Sequence, residues 1–331
     1  MKEAKIDIAV LLIFFTRDQQ LGKVFEQVKM ARPTRLYLYQ DGARANREDD
    51  AEGIKKCREI VADENIDWQC EVHRFYQEKN YGCDPSEYIA QKWMFQSEEY
   101  GIVLEDDDVP SQSFFPFCKE LLEKYKDNER INIICGMNNT GVSEHIKESY
   151  LFTQKGSIWG WASWKRVVDT WDGEYRWTED EEKRNTVKEN VKAYSFDDWY
   201  QVVLQHKASG RAHYESILAA SMFLYDRVNI VPKYNMISNV GVDQESTHSV
   251  SNIRLLPKKT QKLLFMKTYE IEFPLIHPSH IVIDRTFEKK MTVGRIESVF
   301  MTIEILCRSF IFLGFKGTMN RIVKKVMKRV K

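Results

Sequence analysis

The hydrophobic and polar positions of the first hundred residues alternate between two kinds of pattern. Ile6 to Phe15 is a nearly unbroken β-branched and aromatic run, which predicts a strand buried on both faces of a parallel sheet. In Gln20 to Met30 the apolar residues fall at helical spacing, at Leu21, Val24, Phe25 and Val28, and Pro33 punctuates the segment. A second strand is predicted over Arg35 to Gln40, closed by the turn pair Asp41-Gly42, and a helix follows to about residue 62. A third strand is expected over Cys70 to Phe75. The next helix is expected to open at Asp84-Pro85, with Asp84 as N-cap and Pro85 at the first helical position. Gly101 to Leu104 is a short apolar strand that runs straight into Glu105-Asp106-Asp107-Asp108.

This β-α-β-α-β order predicts a doubly wound sheet, whose ligands bind at the carboxyl ends of the strands. Four such ends then matter: Thr16-Arg17, Asp41-Gly42, Asn80-Tyr81-Gly82 and the four acids. No G-x-G-x-x-G follows the first strand and no P-loop is present. A diphosphate here would need some neutralising group other than a glycine loop, and a metal held by carboxylates is the obvious one. Further along, strands are expected at Ile131 to Cys135 and Val228 to Val231, the latter ending at Pro232. A helix is expected over residues 215 to 225, and the chain becomes basic and helix-prone beyond about 255.

Composition narrows the field without redirecting it. The 331 residues can bury a substantial core, and 49 Lys plus Arg balance 49 Asp plus Glu, so no overall field favours nucleic acid. The six cysteines show no zinc-like spacing and read as free thiols of a reducing, cytoplasmic compartment. The run Ile8 to Phe15 is too short to span a bilayer. After Glu304 the chain has no acid but eight Lys or Arg, and Ile322, Val323, Val326, Met327 and Val330 form an apolar helical face among them. A solvated helix is one reading; the other is a peripheral contact with an anionic membrane, at the inner face of the cell membrane.

The four adjacent carboxylates would repel one another at a buried strand end, and a divalent cation would relieve that cost. Hard oxygens favour Mn²⁺ or Mg²⁺. Ile102-Val103-Leu104-Glu105-Asp106-Asp107 resembles the D-x-D element of GT-A glycosyltransferases in its EDD form. It is especially similar to that of bacterial nucleotide-diphospho-sugar transferases, and more distantly to that of the N-acetylglucosaminyltransferase that starts complex N-glycans. Other blocks that match the bacterial group include Asn80-Tyr81-Gly82-Cys83, Ile158 to Lys165, Ser238-Asn239-Val240-Gly241, Thr247-His248 and Phe273 to Pro278. Together the blocks cover roughly residues 6 to 290.

The resemblance implies an α/β GT-A fold, Rossmann-like, with a mostly parallel sheet flanked by helices and a helical C-terminal extension. Residues 1–255 would form the GT-A domain, with a nucleotide-binding half to 110 and an acceptor half to 255, and 256–331 the extension. By the same resemblance Asp107 is the direct metal ligand, and Asp108 leaves the assignment open by one position. Glu105 and Asp106 would lie near ribose and diphosphate, Thr16 and Arg17 would line the nucleotide site with Asn80, and Asp41 would hydrogen-bond the base. His248 is a candidate further ligand to metal or phosphate. Trp161 is a candidate contact for acceptor or donor sugar, with core packing as the alternative.

An inverting transfer needs a carboxylate base for the acceptor hydroxyl. Asp197 and Asp198 are candidates through their likeness to an Asp-Asp-Trp element. Glu215 holds the matching place ahead of the strand that ends at Pro232, where the relatives have Asp. The implied activity is transfer of a sugar, most simply from a UDP-sugar, to a glycan or lipid-linked acceptor in surface-polysaccharide synthesis. A sugar-nucleotide nucleotidyltransferase and a non-catalytic carbohydrate- or nucleotide-binding scaffold are the alternatives.

Overall fold

Along the first strand the side chains divide by parity, as the period of a strand requires. Ile8, Val10, Leu12 and Phe14 enter one hydrophobic core, and Ala9, Leu11 and Ile13 enter a second on the opposite face of the sheet. In this computed structural model, residues 1–192, 195–242, 253–292 and 294–330 are described. Among them the strands are β1 (Ile6–Phe14), β2 (Pro33–Gln40), β3 (Glu71–Tyr76), β4 (Tyr100–Glu105), β5 (Asp108–Pro110), β6 (Ile131–Cys135), β7 (Tyr150–Thr153), β8 (Trp161–Trp164), β9 (Val228–Pro232) and β10 (Ile237–Asn239). The helices are α1 (Asp18–Ala31), α2 (Glu48–Ile60), α3 (Cys83–Ser97), α4 (Phe114–Lys124), α5 (Lys165–Val168), α6 (Glu181–Asn190), α7 (Phe196–Ala208), α8 (Tyr214–Leu224), α9 (Lys258–Gln261), α10 (Arg285–Met291) and α11 (Arg295–Val330).

Eight strands form one mostly parallel sheet, in the order β3-β2-β1-β4-β8-β6-β9-β7, flanked by helices; β5 and β10 pair separately. The expected α/β class is what the chain adopts. The strands β3-β2-β1-β4 run parallel to one another, as do β6 and β9. Next to β4 lies β8, antiparallel to both β4 and β6. This strand had no sequence signal beyond its crowding of tryptophans. The carboxyl ends of β1, β2 and β4 lie along one edge, which brings Thr16-Arg17, Asp41 and the four acids together.

Two local expectations are corrected. α3 begins at Cys83 with Gly82 as its N-cap at φ 86°, so Asp84 is inside the first turn. Its carboxylate instead faces His213 Nδ1 at 3.3 Å, which ties the start of α3 to the start of α8. Pro33 opens β2, where its missing N–H costs nothing, and does not merely end α1.

The segment after 255 is bound into the same core. Ile271 and Leu275 are buried, and Glu270 accepts from the Gln112 and Ser113 amides at 3.1 and 2.6 Å, just ahead of α4. Glu288 of α10, also buried, accepts from Thr153 Oγ1 and the Gln154 amide. Only α11 leaves this core, and it is broken at Gly314, whose φ of 66° and ψ of −178° are not helical. Of the tail's expected apolar face only Val323 has a described side chain, which is exposed; Ile322, Val326, Met327 and Val330 lie outside the described side chains. Among the described residues no helix is long and apolar enough to cross a membrane.

Candidate functional site

The acids are positioned by the turn that leaves β4 and doubles back as β5. The backbone of Asp108 pairs with Asn239 of β10, and the Asp107 carbonyl accepts from the Val240 amide at 2.8 Å. A segment some 130 residues downstream therefore fixes the acidic turn. Asn239 donates through Nδ2 to Asp107 Oδ1 (2.9 Å) and Asp108 Oδ1 (3.2 Å). The other Asp108 oxygen accepts from the Gly160 amide at 2.8 Å. Gly160 holds φ at 59°, and a Cβ there would come within 2.5 Å of Ile237. Glycine is required by both the backbone conformation and the space.

Arg17, at the end of β1, is the positive pole. Its guanidinium pairs with Asp106 and, through Nη1, lies 2.9 Å from Asp107 Oδ2 and 3.4 Å from the Gly241 carbonyl. Asp106 accepts in addition from the Phe15 amide. Burial raises the Asp106 pKa to about 6, against the pull of Arg17. Burial also holds Glu105 and Asp108 well above the usual carboxylate range, with the neighbouring acids adding to it. Like charges in a low-dielectric turn resist ionisation together.

A cavity of about 120 Å³ lies beside this cluster, bordered by Phe15, Thr16, Arg17, Asp41, Arg44, Asn80, Glu87, Glu105 and Asp106. The structure thus brings together Thr16, Arg17, Asp41, Asn80, Glu105 and Asp106, all singled out from the sequence. It gives two of them a different occupation. The Asp41 oxygens accept from the amides of Gly42, Tyr81 and Gly82 and from Asn80 Nδ2, all at 2.8 to 3.1 Å. A carboxylate has about four lone-pair sites, so Asp41 is filled by its own loop and has none to offer a base. Asn80 gives its Nδ2 donors to Asp41 and the Gly42 carbonyl. Both shape the wall of the cavity by holding the 80–82 loop.

Sequence reasoning missed Glu87 and Tyr214. Glu87, one helical turn after Cys83, lies 3.1 Å from its thiol and is buried at the cavity wall. Burial lifts its pKa to about 8, with Asp84 and Glu215 adding to the effect. The hydroxyl of Tyr214 is buried without a hydrogen-bond partner, and burial pushes its pKa well up, with Glu87, Glu105, Glu215 and Asp108 adding to the effect. The first turn of α8, with Glu215 exposed, therefore lies within electrostatic reach of the acidic turn and of Glu87 on α3. On its other side Glu215 borders a second cavity of about 340 Å³, with Asn139, Lys155, Trp199 and Asn229. Spaces of this size bind small molecules.

Trp161, Asp197 and Asp198 do not join the cluster. Trp161 is buried, 1 % exposed, with its ring centroid 6.2 Å from that of Trp171. It fills the core between sheet and helices and presents no face on which a sugar could stack. Asp197 and Asp198 are exposed on the first turn of α7, whose cap is Ser195. His248 lies outside the described residues.

The oxygens of the acidic turn suit a hard dication in kind. In arrangement the oxygens of Asp106, Asp107 and Asp108 are taken by protein donors, with the Arg17 guanidinium against Asp106 and Asp107. Among the described residues no group of three or more His, Cys, Asp or Glu side chains is arranged to hold a metal.

No model of a known protein family matches this chain, and no curated protein does. Solved structures with a partly similar chain path include UDP-glucose pyrophosphorylase in its apo form, with a TM-score of 0.36 and 9% identity over 70% of this chain and 93% of that one. The same kind of enzyme complexed with UDP-glucose gives a TM-score of 0.34 and 10% identity, over 69% and 91%. Agreement of this size carries no functional conclusion.

Proposed function

We propose that this chain is a glycosyltransferase that moves a sugar from a nucleotide-diphospho-sugar, most simply a UDP-sugar, to a glycan or lipid-linked acceptor of surface-polysaccharide synthesis. It would work in the cytoplasm or at the inner face of the cell membrane. One observation carries the reading: an acidic turn at the end of β4 and Arg17 at the end of β1 border one cavity, while Glu215 borders another large enough for a sugar ring. A cation and carboxylates on the donor side, with a separate carboxylate on the acceptor side, are what a displacement at an anomeric carbon requires.

In this reading Thr16 and Arg17 hold the diphosphate, and the guanidinium supplies positive charge to its oxygens. Mn²⁺ or Mg²⁺ bound by Asp107, with Asp108 and His248 as further candidate ligands, would add charge neutralisation at the leaving group. Because Arg17 holds Asp107, such an ion would compete with it for that carboxylate. Glu215 takes the acceptor hydroxyl proton as the new C–O bond forms. The anomeric C–O bond to the diphosphate breaks, and its electron pair leaves with the nucleoside diphosphate. A single displacement of this kind inverts the anomeric centre.

The test is release of nucleoside diphosphate from a panel of nucleotide sugars, with Mn²⁺, with Mg²⁺ and with EDTA. Slow, metal-dependent hydrolysis of one donor, lost in Asp107→Asn, is the expected result. Full activity in Asp107→Asn would sink the site assignment. Formation of nucleotide sugar from nucleoside triphosphate and sugar phosphate would make the chain a nucleotidyltransferase instead. Tight donor binding without any turnover would make it a binding protein.

A further inference from the structure

We infer that α11 is an in-plane membrane helix whose outward apolar face rests on an anionic lipid bilayer, and that residues 300–319 carry the contact. The argument begins with which side of the helix meets the protein. A helix on the surface of a soluble protein buries its apolar stripe and shows its charges to water. The part of α11 before Gly314 half-buries Met301 and Ile305 but leaves most of its large apolar side chains outside. Its charged side faces the body: Lys259 Nζ lies 2.6 Å from Glu297, the Lys258 amide donates to Glu304 at 3.0 Å, and Arg308 bridges Glu304 Oε1 and the Arg254 carbonyl. Phe300, Ile303, Phe310 and Ile311 are turned outward, with Phe300 64% and Ile311 70% exposed.

Beyond the break at Gly314, Phe315 is 71% exposed, and Met319, four residues on, is exposed as well. Large apolar side chains in such a row mark an interaction surface, not scattered exposure. The charge pattern selects the occupant. After Glu304 the chain has eight Lys or Arg and no acid, so cations follow the apolar face to the end of the chain. A surface that is apolar in depth and negative at its rim matches both features, and an anionic bilayer is such a surface. No described helix is apolar enough to cross it, so α11 lies on the membrane with its apolar face among the headgroups and upper acyl chains. The inference does not rest on the transferase reading.

The experiment uses the full chain and vesicles of phosphatidylcholine, with and without phosphatidylglycerol, in a co-sedimentation assay at low and high salt. Binding is expected on the anionic vesicles and weakened by salt. The Phe310→Ser, Ile311→Ser, Phe315→Ser triple variant should reduce partitioning by at least about tenfold. A Lys316→Glu, Lys324→Glu, Lys325→Glu variant should lose binding to the anionic vesicles in particular. The Ser variant should retain the donor hydrolysis of the wild type in solution, so a failed transferase assay and a failed membrane assay remain separate results. Equal binding of wild type and Ser variant to vesicles, or no binding of the wild type to either composition, would overturn the inference. So would a wild-type dimer that ignores vesicles and becomes monomeric on the Ser substitutions, since a second copy would then cover the face.

Discussion

Arg17 Nη1 stands 2.9 Å from one oxygen of Asp107, and Asn239 Nδ2 stands 2.9 Å from the other. The two donors come from the first strand end and from a segment more than 200 residues later. Between them they satisfy a carboxylate that the sequence marks as a metal ligand. If a dication takes Asp107 during turnover, it displaces one of them, and Arg17 is the more exposed. Arg17→Ala should therefore bind Mn²⁺ more tightly than the wild type while binding nucleoside diphosphate more weakly. Calorimetric titration of each ligand measures both. Unchanged Mn²⁺ affinity would show that Asp107 is not where the ion sits.

Gly241 makes a second prediction at the same carboxylate. A Cβ at this position would fall 1.8 Å from Asp107 Oδ2 and 3.0 Å from Arg17 Nη1. Gly241→Ala must push the Asp107 carboxylate off its present place. The expected loss of stability is about 1 to 3 kcal/mol, as for other overpacked sites. Donor hydrolysis should fall much further than a modest loss of stability explains, as read by turnover at a temperature where circular dichroism shows the variant folded.

Glu215 and the pair Asp197-Asp198 separate by position. Glu215 borders the second cavity and is felt electrostatically by Glu87 on the donor side, whereas both aspartates are exposed on α7. Glu215→Gln is expected to lower kcat for transfer by roughly 100-fold or more, the scale of a lost general base. Donor KM should change little. Asp197→Asn and Asp198→Asn should stay near wild type, and a large kcat loss in either would move the base to α7.

The buried Glu87 gives a pH dependence. Its ordinary pKa of 4.5 is raised to about 8 in the folded chain by burial. Below 4.5 it is protonated whether the chain is folded or not. Between 4.5 and about 8 the unfolded chain has lost the proton and the folded chain retains it, so stability declines as pH rises. Above about 8 that decline ends. Urea midpoints measured across this range in chelator should fall with pH for the wild type. They should fall less steeply for Glu87→Gln, which has no proton to lose. Parallel curves would mean that Glu87 ionises normally.

The sequence revealed those parts of the fold that depend on local patterns. β1 announced itself because both its faces are buried, and α1 because its apolar residues repeat at helical spacing. The acidic turn was legible because four carboxylates cannot sit at the end of an apolar strand without some compensating charge. What supplies that charge was not legible: Arg17 is near in space through the parallel pairing of β1 and β4, and Asn239 and Gly241 are brought in by β10. Neither contact leaves a periodic trace. Glu87 was hidden among ordinary helix residues, although its spacing of four from Cys83 places both on one face. Trp161 was misjudged because an indole in a four-residue apolar strand looks the same whether it fills a core or awaits a sugar. β8 itself was missed for a similar reason, since Trp161–Trp164 is too short to show alternation even though Gly160 marks a turn just ahead of it.

That same strand has a consequence for how the protein can be divided. Among the described residues β8 is the strand that joins β4 to the β6, β9 and β7 side of the large sheet, with Trp161–Trp164 set against Tyr100–Val103 on one side and β6 on the other. A fragment ending near residue 110 would keep the donor cavity walls of β1, β2 and β4 but leave the inner edge of β4 bare. An apolar strand with an open row of amides and carbonyls recruits another copy of itself. The N-terminal piece, for all that it carries the acidic turn, would self-associate once cut free, and useful truncations of this protein belong after α10.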